Sequence, residues 1–121
     1  MKYIETAHTG AALITPLTYR ILLALADAER HGYGIIKEIE ERLGEAVAPS
    51  TGALYLALQR MEEEGLISEA SARPRRGDDA RRRYYRITAA GRRAAESESA
   101  RLVALVRLAR RKKLLSGEAL S

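Results

Sequence analysis

Seven arginines and two aspartates occupy the stretch from Arg73 to Arg86, a charge equal to the +5 of the whole chain. The remaining residues therefore balance. Guanidinium groups at this density make charge-assisted, often bidentate hydrogen bonds to phosphate. Arg73, Arg75, Arg76 and Arg81 surround Gly77-Asp78-Asp79-Ala80, whose composition suits the tip of a turn. Arginines on such a tip fit a phosphate wall or a narrow minor groove, where the negative potential is enhanced. Upstream, Ser50, Thr51 and Tyr55 offer hydroxyls and Arg60 another guanidinium. A helix starting at Ser50 would also aim free N–H groups and its positive dipole end at a phosphate. Such contacts set register more than sequence; Tyr55 could instead pack its ring on a sugar or a thymine methyl, and Arg60 could reach phosphate or guanine. The plainer alternative for Tyr55 is to cover its own helix. Tyr33 and Lys37 either flank the same groove or form a surface pair.

These groups recognise; none of them makes or breaks bonds. The chain lacks cysteine, and His8 and His31 stand alone, so no nucleophile and base pairing, phosphate loop or carboxylate constellation can be assembled. We therefore expect no enzyme, no cofactor and no metal site. Asp78 and Asp79 lack a ligand set around them and read as turn residues. A cysteine-free chain suits a reducing compartment. The segment from Met1 to Ile14 has no apolar run of signal-peptide length, and no stretch approaches the ~18 apolar residues of a membrane span. The expected location is the cytoplasm, with no membrane partner. A pI near 9.8 favours a polyanion.

Positioning these residues requires a small helical scaffold. Thr15-Pro16 predicts a first helix, capped by the threonine and opened by the proline, with Leu17, Ile21, Leu22 and Leu25 on its buried face. His31-Gly32-Tyr33-Gly34 reads as a breaker, after which Ile35, Ile36, Ile39 and Leu43 mark a second helix closing near Gly44. Pro49 and Ser50 place the start of a third, whose Leu54, Leu58 and Met61 face the core while Thr51, Tyr55, Gln59 and Arg60 fall away. Glu62-Glu63-Glu64 is its solvated end, and Gly65 stops it. Leu66 to Ala70 and Arg82 to Ile87 read as two antiparallel strands, with Tyr85 and Ile87 on one face and Tyr84 and Arg86 on the other. Thr88 then caps a last helix running to about Leu115. Its stripe of Leu102, Leu105, Val106 and Ala109 lacks a partner within so small a domain. The expected fold class is mainly α: a winged helix-turn-helix of three helices and a two-stranded wing, with a long C-terminal dimerisation helix. Residues 1–88 would form the DNA-binding domain with its N-terminal segment, and 89–121 the dimerisation helix and tail.

His31 to Gly34, Leu54-Tyr55, Leu58, Arg60 to Ile67 and Arg83-Tyr84-Tyr85-Arg86-Ile87-Thr88-Ala89-Ala90-Gly91 together resemble the PadR family of transcriptional regulators, over roughly residues 14 to 115. The resemblance implies a homodimeric repressor whose third helix enters the major groove of double-stranded DNA and whose terminal helices join the subunits. The short chain matches the branch with a single terminal helix. It departs from the family pattern in placing Thr51-Gly52-Ala53 before the Leu-Tyr pair and Leu56 where a proline is common, which leaves base preference open. With no tryptophan or phenylalanine, drug sensing between tryptophans is not expected. Effector control would instead use an apolar small molecule between the terminal helices and the first helix, near Tyr19. A winged-helix adaptor for RNA or a protein partner is the alternative reading.

Overall fold

The computed structural model describes residues 13–70 and 82–116. Helix α1 spans Pro16–Leu25, with Thr15 Oγ1 accepting from the Thr18 N–H at 3.1 Å. Ile21, Leu22 and Leu25 are buried as the spacing requires, and Leu17 packs at the edge of the core. Strand β1 is only Arg30–His31, and α2 follows at once as Gly32–Leu43. The predicted breaker is thus the first turn of α2. His31 serves as the N-cap, its Nδ1 accepting from the Gly34 N–H at 3.0 Å, so Gly32 begins a helix rather than ending one. A single 3₁₀ turn, Glu45–Val47, leads to α3, Thr51–Glu63. Ser50 caps α3 by accepting from the Ala53 N–H at 3.1 Å.

The end of α3 folds as its glycine demands. Gly65 takes φ +78°, so the Leu66 N–H reaches the Met61 carbonyl at 2.9 Å and the Gly65 N–H reaches Glu62 at 3.1 Å. Strands β2, Ile67–Ala70, and β3, Tyr84–Ile87, then pair antiparallel with Ile67 opposite Ile87 and Ala70 opposite Tyr84. The sheet has three strands rather than two, because β1 pairs on the far side of β3 with Arg30 opposite Tyr85 and His31 opposite Tyr84. Both tyrosines of β3 are buried. Tyr85 enters the core, while Tyr84 meets the edge of the His31 ring at 5.2 Å between centroids.

Helix α4 covers Ala89–Arg111, with Thr88 Oγ1 accepting from the Gly91 N–H at 3.0 Å. It stops about one turn before Leu115. Lys113 adopts φ 64°, letting the Leu114 N–H bond to the Ala109 carbonyl at 2.8 Å and the Lys113 N–H to Arg110 at 3.0 Å. This is the closure usually built on glycine, made here with a lysine. The core is one cluster in which α1, α2 and α3 bury Ile21, Leu22, Ile35, Ile39, Leu54, Leu58 and Met61 beneath Ile67 and Tyr85. The head of α4 is fixed to this body: the Thr88 hydroxyl donates to the Gly65 carbonyl at 2.6 Å, the Thr88 N–H to Leu66 at 3.1 Å, and Arg92 to the Ala26 carbonyl at 3.0 Å. Tyr19 and Ser99 share a hydroxyl–hydroxyl hydrogen bond of 2.6 Å between α1 and α4. Beyond it, no residue of α4 is fully buried.

Candidate nucleic-acid interface

Helix α3 turns Leu54, Ala57, Leu58 and Met61 inward, which forces Thr51, Tyr55, Leu56, Gln59 and Arg60 outward. Ser50 is exposed, but its oxygen is engaged by the cap. Leu56 is 65% exposed, an unusual place for a leucine. It lines a shallow depression of about 200 Å³ with Gln59, Arg60 and Glu63. Apolar, amide and guanidinium groups side by side on one helix face suit thymine methyl, adenine and guanine edges respectively.

Tyr55 does not lie along its own helix. Its ring crosses to the first turn of α2, with the hydroxyl over Gly32 and Cζ 2.6 Å from where a Cβ on Gly32 would be. Next along α2, Tyr33 is 56% exposed and forms a hub. Lys37 Nζ sits 6.0 Å from its ring centroid and the Arg82 guanidinium carbon 5.8 Å from it, while His31 stacks at 6.5 Å and 18°. Arg82 Nη1 also lies 3.0 Å from His31 Nε2. Lys37 is further held by Glu40 at 3.4 Å, and that hydrogen bond raises the lysine pKa. Tyr33 and Lys37 are therefore in contact with each other, and Tyr55 reaches the same turn of α2 at Gly32.

Arg82 is a candidate contact that sequence reading passed over. Alternation alone put it in a strand; only the pairing of β1 with β3 brings it over Tyr33. The neighbouring arginines behave differently. Arg83 is bound by Glu62 at 3.1 Å and Glu69 at 3.2 Å and lies 5.3 Å from the Tyr85 ring centroid, while Arg86 donates to Ser68 Oγ at 3.2 Å. Glu62 is accordingly not the solvated helix end its triple-glutamate setting predicts but a half-buried tie between α3 and the sheet. Arg73, Arg75, Arg76 and Arg81 lie outside the described residues, as do Asp78 and Asp79.

On α4, Leu102, Val106 and Ala109 are half-buried and Leu105 is 49% exposed. Val103 and Leu108 add 47% and 42% exposure, so the apolar surface is wider than the stripe the spacing predicts. A groove of about 480 Å³ runs between this surface and α1, bounded by Tyr19, Ser99, Leu102, Val103, Val106, Arg107 and Arg110. No helix among the described residues is long and apolar enough to cross a membrane.

The profile of the Transcriptional regulator PadR-like family matches residues 21–97. Over 79 residues, the chain is 38% identical to an uncharacterized 37.1 kDa protein in transposon TN4556 of Streptomyces fradiae, covering 65% of this chain and 21% of that protein. It is 32% identical over 71 residues to uncharacterized protein X of Lysinibacillus sphaericus, covering 59% of this chain and 63% of that protein. The chain thus spans less than two thirds of either curated relative. Among solved structures, a PadR family transcription regulator from Clostridium difficile superposes with a TM-score of 0.68 at 26% identity, over 80% of this chain and 97% of that one. Bacillus subtilis PadR, in complex with operator DNA, superposes with a TM-score of 0.58 at 26% identity, over 68% of this chain and 45% of that one.

Proposed function

Because this chain belongs to the PadR-like family of transcriptional regulators, we propose that it is a homodimeric repressor that grips operator DNA with α3 and the arginines of the wing. The observation carrying this reading is the outward face of α3, whose Tyr55 rests on Gly32, the residue before the Tyr33 on which Lys37 and Arg82 gather. A relative of the same fold is held on operator DNA. In this reading residues 1–88 bind DNA and 89–121 dimerise. Ser50 and Thr51 seat a phosphate at the head of α3, Tyr55, Leu56, Gln59 and Arg60 meet base edges, and Arg73, Arg75, Arg76 and Arg81 hold the flanking backbone. Leu102, Leu105, Val106 and Ala109 pair with their copies in the partner. The protein acts in the cytoplasm. An apolar effector entering the groove beside Tyr19 releases DNA by preferring a dimer spacing in which the two α3 helices no longer match successive major grooves, roughly 34 Å apart.

The wing and α3 are expected to fail in different ways. Replacing Arg75 and Arg76 by alanine weakens binding to every duplex and flattens the log–log salt dependence by about 0.9 per lost phosphate contact. Tyr55→Ala costs on the order of 1 to 3 kcal/mol on the cognate site and far less on random DNA. Titration against a duplex selected from a random library, a scrambled duplex and an RNA hairpin at several salt concentrations reads both effects. Unchanged affinity and salt slope in the double mutant would remove the wing from the interface. Preference for the RNA would replace the repressor reading with the adaptor.

A further inference from the structure

The contact between Gly32 and Tyr55 does more than pack two helices. Gly32 carries no side chain, lies in the first turn of α2 and is buried, and the phenol of Tyr55 occupies the space its Cβ would need. Tyr55 nevertheless remains 47% exposed. One side of the ring therefore lies against α2, while the rest is open to solvent. A tyrosine side chain on a helix normally has more than one rotamer available. Here the neighbouring helix selects one.

We propose that Gly32 is a positioning residue for Tyr55: the missing side chain at position 32 lets the ring rest across α2, and this rest holds the ring where α3 meets DNA. The inference rests on the DNA-binding reading of α3 and adds to it that a residue on the preceding helix sets the orientation of a base-facing side chain. A methyl at position 32 would overlap the Tyr55 hydroxyl. Because that hydroxyl is the far end of a half-exposed side chain, the overlap is relieved by rotating the ring away rather than by separating the helices. The fold thus tolerates Gly32→Ala, which also suits a helical position better than glycine does, whereas the ring orientation does not survive it.

The test is a double-mutant cycle of Gly32→Ala and Tyr55→Ala in the full chain, read three ways. Thermal midpoint reports folding. Proton NMR of the free protein reports the contact: the Gly32 α protons are shifted by the ring in wild type and lose that shift in Tyr55→Ala. Affinity for a duplex selected from a random library reports function. We expect Gly32→Ala to keep its thermal midpoint and weaken selected-duplex binding about tenfold, and to have no effect in the Tyr55→Ala background. Equal losses from Gly32→Ala with and without Tyr55 would overturn the proposal, as would Gly32 resonances indifferent to Tyr55. If wild type shows the ring shift yet binds no duplex, the DNA reading of α3 falls and the positioning role falls with it. If wild type binds DNA and Tyr55→Ala binds equally well, only the positioning role falls.

Discussion

Gly91→Ala is expected to lower the thermal midpoint by on the order of 10 °C. A Cβ at position 91 would overlap the backbone carbonyl of Leu66 and stand 3.0 Å from Ile87 Cγ1. Unlike the phenol over Gly32, this obstacle cannot swing aside. The Leu66 carbonyl already accepts the Thr88 N–H at 3.1 Å, and the adjacent Gly65 carbonyl accepts the Thr88 hydroxyl at 2.6 Å. The first turn of α4 must therefore lift from the sheet, loosening the attachment of the whole helix. Overpacking of this kind costs about 1–3 kcal/mol or more, and the gain of roughly 1 kcal/mol from a better helix former offsets only part of it. Gly52→Ala is the control. Its Cβ would meet nothing within 4 Å, so the same change there should raise stability by about 0.5–1 kcal/mol. Melting curves followed by circular dichroism compare the two. A Gly91→Ala protein that melts with wild type would show that α4 is not seated on the Leu66 carbonyl.

The second large effect concerns assembly. In the proposed dimer, Leu105→Asp should separate the subunits while sparing the fold of the protomer. Leu105 is 49% exposed and lies beyond the Tyr19–Ser99 contact, so a carboxylate there stays hydrated in an isolated subunit. In a dimer closed over Leu102, Leu105, Val106 and Ala109 it would be buried without a counter-charge, at a cost of several kcal/mol on each side of the two-fold axis. The dissociation constant should rise at least about 100-fold, equivalent to roughly 2.7 kcal/mol. Duplex affinity should fall with it, since two linked recognition helices bind far better than one. Sedimentation equilibrium of wild type and variant over a range of concentrations measures this. A variant that remains dimeric would move the interface away from this face of α4.

Much of the architecture was legible because its signals are local. Thr15, Ser50 and Thr88 each cap a helix through an N–H three residues on, and Gly65 takes the left-handed conformation that ends α3. Caps, turn residues and apolar spacing act within a few positions, so a single chain displays them. The same locality explains the errors. His31-Gly32-Tyr33-Gly34 holds two glycines and reads as a breaker, but histidine supplied the cap and burial under Tyr55 fixed Gly32 in a helix. The last helix seemed to run on to Leu115 because its stop at Lys113 uses no glycine.

What the chain by itself determined is the order of the four helices and the two wing strands, the buried faces of the helices and the concentration of positive charge between residues 73 and 86. Tertiary structure decided which polar groups stand together. A two-residue strand has no pattern of its own, yet β1 brings Arg82 against His31, 51 residues away, and hence over Tyr33. Glu62 leaves the solvent for Arg83, and Tyr55 leaves its own helix for α2. Each of these contacts joins segments distant in the chain, and its energy comes from partners that local propensity cannot name. The periodicity of a helix tells which residues face outward; only the packing of its neighbours tells what they face.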